Sequence, residues 1–171
     1  DKIVEVLYEG APLIKRAPRY PVMVLVAIER VVLDDSEPTG LRVYAWAKLV
    51  KVWASLRWDV QAIRPGELKL VEGRLVTTLR RTKTSGPNRR IKEMPLCVSE
   101  AAFFENPAWL RVGFELLQWL ATFGRDYLLP KLKPNFAVFE KKMAEYADVV
   151  AVSAAILQRA CDSSALLDGA L

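Results

Sequence analysis

Arg57 closes an apolar stretch of helical spacing, and Lys83 sits in a turn between two strand-like segments of a basic run. Both residue types suit a phosphodiester. Arginine's planar fork grips two oxygens at once, and a lysine on a mobile turn reaches a leaving oxygen. Charge builds on the phosphate during phosphoryl transfer, so the chemistry needs positive donors that are already in place. The linker between Arg57 and Lys83 is long enough to fold back, which would let both meet at one phosphate. Taken singly, each residue also fits a plain surface role, as a helix-end arginine and an exposed turn lysine.

The neighbours of Lys83 sharpen the choice. Arg80, Arg81, Lys83, Arg89, Arg90 and Lys92 place six positive charges in thirteen positions with no acid between them. The formal net charge is +5, so the rest of the chain is close to neutral. A focused patch of this kind favours a polyanion, with double-stranded DNA the expected partner and Arg80, Arg81, Arg89, Arg90 and Lys92 its contacts. The alternative is a non-catalytic helical interaction module whose basic hairpin docks an acidic protein, with Trp46, Trp53, Trp109 and Trp119 as partly exposed anchors.

Composition removes other chemistries. The chain holds no histidine, which excludes histidine ligands, Ser–His and Cys–His pairs and any imidazole acid or base. The acids of Asp34-Asp35-Ser36-Glu37 lack the spacing of a calcium loop, so neither metal nor cofactor is expected. Lys83-Thr84-Ser85-Gly86 lacks the glycine-rich run of a phosphate loop. Cys97 and Cys161 are the only cysteines, and both are expected to be reduced and to behave as small hydrophobes, which fits an intracellular protein. No signal peptide is evident, and the longest apolar runs, Val22–Ile28 and Val149–Leu157, are too short to span a bilayer.

The elements that must position these residues follow from periodicity. At 171 residues and 52% hydrophobic, the chain supports one domain with a sizeable core. Residues 1–20 read as a linker or incoming segment. Helices are predicted over 21–60: one from Pro21 to about Leu33, and one from Leu41 to about Arg57 with Val43, Trp46, Ala47, Val50, Trp53, Ala54 and Leu56 recurring at three and four. Residues 61–98 hold a hairpin, with Leu75, Thr77 and Leu79 on one face of its first strand. Its second strand, Arg89–Val98, contains Pro95 and so lies at an edge or ends there. Helices are predicted again over 107–161, one from Ala108 to Phe123 and a last one from about Phe136 to Ala160. In the last, Phe136, Phe139, Met143, Tyr146, Val150, Ala154 and Leu157 form the expected core stripe. The fold class is therefore α+β, mostly α-helical with a small antiparallel sheet.

The segments Leu56-Arg57-Trp58-Asp59, Arg74–Thr84 and Arg90–Leu96 together resemble the catalytic domain of tyrosine recombinases. In that family a Leu-Arg motif carries the first catalytic arginine and a Thr-Lys-Thr hairpin the catalytic lysine. The Ala-Trp-Ala-Lys-Leu-Val-Lys-Val-Trp helix before Arg57 is more similar to eukaryotic, crypton-type members than to bacterial integrases. The resemblance covers about Val22–Val98, the N-terminal half of that catalytic domain. It implies metal-free DNA strand breakage and rejoining through a phosphotyrosine, with Arg57 on a non-bridging oxygen and Lys83 serving the leaving 5′ oxygen. It also implies self-association on DNA and, in a eukaryote, a nuclear location. The family's His-x-x-Arg box has no counterpart: Arg125 and Arg159 have Thr122 and Ile156 three residues earlier. Tyr127 and Tyr146 precede the expected position of the nucleophile, and Val60 stands where an acidic support residue is normal. The chain is thus expected to bind DNA without turning it over, as a fragment or a domesticated remnant of a recombinase.

Overall fold

A computed structural model describes residues 20–56, 60–79, 93–120 and 125–169. The first two helices fall close to where spacing places them, the second shifted at both ends. Helix α1 spans Val22–Leu33, with Pro21 as its N-cap rather than inside its first turn. Its Leu25, Ile28, Val31 and Val32 are buried. Helix α2 spans Thr39–Trp53 and is buried nearly all round, from Leu41 through Val50. That is the pattern of a central helix rather than a surface one, because α1, α3 (Trp109–Leu120) and α4 (Tyr146–Gly169) all pack against it.

Helix α2 stops four residues before Arg57, earlier than its apolar spacing predicts. The Ser55 N–H donates to the Val52 carbonyl and the Leu56 N–H to the Lys51 carbonyl. With Ser55 in the left-handed region at φ 53°, this is a Schellman termination. Leu56, just beyond the turn, is buried.

A three-stranded antiparallel sheet follows, in the order β1 (Lys69–Val71), β2 (Arg74–Leu79), β3 (Met94–Ser99). The Glu72-Gly73 turn between β1 and β2 has both residues at positive φ, 51° and 73°, as a two-residue hairpin of matching twist requires. Strand β1 is too short, with its exposed–half-buried–exposed pattern, to stand out in the sequence. Leu75, Thr77 and Leu79 face inward from β2, as the alternation predicts, and Leu96 and Val98 join them from β3. Strand β3 is one of the sheet's two edges, which accommodates Pro95 opposite Thr78.

The last predicted helix needs correction. Residues Phe136 to Met143 are not helical; β4 (Pro130–Leu132) and β5 (Val138–Met143) form a second antiparallel sheet of two strands. The turn between them is tied by Phe136 N–H to Lys133 O, Lys133 N–H to Ala137 O, and Ala137 N–H to Asn135 Oδ1. Phe136 there has φ 64°, a conformation that ends any helical pattern. Helix α4 starts only at Tyr146, where Asp148 Oδ2 accepts the Glu145 N–H in half of a capping box. The expected stripe is correspondingly wrong: Met143, Tyr146 and Val150 are exposed, while Val152, Ile156 and Ala160 face the core. Both cysteines are unbonded, but both are exposed rather than buried.

One continuous core joins residues from all four helices and from the three-stranded sheet. The fold is α+β, mostly helical, with two small antiparallel sheets. Among the described residues no helix is long and apolar enough to cross a membrane.

Candidate functional site

Arg57, Lys83, Arg80, Arg81, Arg89, Arg90 and Lys92 lie outside the described residues. Their flanks do not. Leu56 precedes Arg57 and is anchored in the core, and Leu79 precedes Arg80 in the same core. Leu79 pairs across the sheet with Met94, so the segment carrying Lys83 connects two strand ends held side by side.

Beyond Arg57 the described chain is fixed by Gln61, a residue that nothing in its local sequence singles out. Its side chain is buried, and its amide nitrogen donates to the carbonyls of Leu129 and Ala144 at 2.8 and 2.9 Å. Its amide oxygen accepts the Leu129 N–H at 2.6 Å. One side chain therefore ties the segment after Arg57 to both sides of the β4–β5 hairpin. A second buried polar group, Glu29, accepts the N–H groups of Phe104, Glu105 and Asn106 and fixes the approach to α3. Neither residue has a sequence signature, because each partner is a backbone group far away along the chain.

The two arginines weighed for the missing box are committed to internal contacts. Arg125 is half-buried and donates to the carbonyls of Leu120, Tyr127 and Leu128. Burial lowers its pKa from the ordinary value. Arg159 pairs with Glu37 at 2.8 Å, and its guanidinium lies over the Phe136 ring. Tyr146, expected within the core stripe, is instead 86% exposed at the start of α4. Of the tryptophans, Trp46 and Trp109 are fully buried, Trp53 is half-buried against Phe104, and Trp119 is 88% exposed. Among the described residues no cluster of histidine, cysteine or acidic side chains is arranged to hold a metal.

Val60, the first described residue after Arg57, lines a cleft of about 180 Å³ between α2 and α4. Its floor is apolar, made by Ala47, Val60, Leu129 and Val149, and Tyr44 also faces it. Lys48, Lys51, Tyr146 and Ser153 line the remainder. Lys48 holds its ammonium 4.8 Å from the centroid of the Tyr20 ring. The Tyr44 hydroxyl donates to the Pro130 carbonyl, and burial, with a smaller contribution from the Asp148 charge, raises its pKa. Nothing in the sequence assigns Lys48 and Lys51 a ligand, because they interrupt an apolar helix, where lysines usually just extend their stems to solvent.

Comparison with protein-family models, with curated protein sequences and with solved structures finds no match to this chain.

Proposed function

We propose that this chain is a DNA-binding portion of a tyrosine recombinase-type catalytic domain, in which Arg57 and Lys83 engage the phosphodiester and the basic run around Lys83 holds the duplex. The reading rests on the resemblance carried by Leu56-Arg57-Trp58-Asp59 and Thr82-Lys83-Thr84. The observation that supports it most is the shared anchoring of the two segments. Leu56 and Leu79 belong to one core, and the Leu79–Met94 pairing holds the ends of the lysine-bearing connection together. Strand breakage and rejoining through a phosphotyrosine belongs to the family; for these residues the claim is binding. Arg125 and Arg159 are occupied by internal contacts, and the chain has no histidine to move protons. Self-association on DNA and a nuclear setting in a eukaryotic host are parts of the same reading. The interaction-module reading is weaker, since Trp119 is the one of its four anchors left largely exposed.

The test is duplex affinity measured across a salt series. Each phosphate contact releases counterions, so affinity should fall steeply as salt rises. Replacing Arg89 and Arg90 by alanine should weaken binding whatever the sequence, and make the salt slope shallower by about 2. Binding that is absent, or flat with salt, would sink the proposal.

A further inference from the structure

The cleft between α2 and α4 contains none of the residues assigned above to the phosphodiester or to the duplex. We infer that it binds a phosphate ester, with the Lys48 and Lys51 ammonium groups on the phosphate and the apolar floor against the attached sugar. Two lysines line it and no carboxylate does. Among the described residues neither lysine is paired with an acid, so their charge is available to a ligand. The Tyr20 ring positions the Lys48 ammonium without neutralising it. Tyr146 and Ser153 add hydroxyl donors at the rim.

Asp148, whose charge reaches Tyr44 in the cleft, accepts the Glu145 N–H and lies 3.9 Å from the Lys131 ammonium. At about 180 Å³ the cleft is smaller than the roughly 300–1,000 Å³ of pockets that take whole small molecules. It has room for a phosphate and part of a sugar, the repeating unit of a nucleic-acid backbone. Val60, which lines it, is three residues beyond Arg57 in the sequence. The phosphate chemistry stands by itself. That the phosphate belongs to a DNA strand rests on the function proposed above.

The experiment compares the full chain with a Lys48→Gln/Lys51→Gln variant and a Lys69→Gln control. Lys69 is exposed on β1, so it reports the effect of charge loss alone. A circular dichroism melt establishes that each variant is folded, and the probes are a duplex oligonucleotide and AMP. The double variant should bind the duplex about tenfold more weakly or worse, with a salt slope shallower by about 2, while Lys69→Gln leaves both unchanged. AMP binding that the double variant loses, with no duplex binding by any form, upholds the cleft as a free-nucleotide site and overturns the recombinase reading. Duplex binding that the double variant retains in full, with no AMP binding, overturns the cleft and leaves the recombinase reading standing. A wild-type chain that binds neither overturns both.

Discussion

Tyr44 shows how one buried hydroxyl sets a dependence on pH. Its proton is spent on the Pro130 carbonyl, joining the central helix to the first strand of the second sheet. A tyrosine in water ionises at about pH 10, and burial raises that value in the folded chain. Keeping the proton therefore adds stability that is complete below about pH 10 and is lost as the pH rises beyond it toward the folded value. Tyr44→Phe should cost about 1 kcal/mol at neutral pH by removing the hydrogen bond. Urea unfolding at pH 8 and at pH 11 should then show the gap between wild type and variant closing on the alkaline side. A gap that stays constant would mean that the hydroxyl is not protected from ionisation. Gln61 and Glu29 act on the same scale, each satisfying backbone groups that would otherwise be buried without partners.

At the level of elements, the crossing of α2 and α3 depends on a residue that lacks a side chain. A Cβ at Gly113 would lie 2.1 Å from Trp46 Cδ1. The indole cannot swing away easily, because Trp46 is fully buried and its Nε1 donates to the Leu110 carbonyl at 3.0 Å. Gly113→Ala gains about 1 kcal/mol of helix propensity but overpacks the crossing by about 3 kcal/mol, a net loss of about 2 kcal/mol readable by thermal or urea unfolding. A neutral or stabilised variant would show that α3 shifts freely. The same crossing explains what could be read in advance. Helices α1 and α2, and the inward faces of β2 and β3, follow local patterns of burial that composition records directly. The segment from Phe136 to Tyr146 does not, since its apolar residues recur at three and four while several of them face solvent from a strand and a turn. Arg57 and Lys83 could be singled out by residue type and order. The Lys48–Lys51 cleft could not, because its second wall is supplied by α4, distant along the chain.

Across the whole molecule, one core ties the helices to the three-stranded sheet, while the concentrated positive charge sits in a single connection between two of its strands. The proposed phosphate-binding role calls for a frame that does not move with donors mounted on it, and this core supplies the frame. Gln61 lies four residues beyond Arg57 in the sequence and is joined to the flanks of the second sheet. Its grip makes the Leu129 amide a reporter of the arginine's segment. That amide has its acceptor on the Gln61 side chain, so it trades its hydrogen for deuterium only when the segment lifts away or the hairpin opens. Slow exchange at Leu129 that becomes slower with a duplex bound would mark the segment as tightened by its ligand, and Gln61→Ala should abolish the protection altogether.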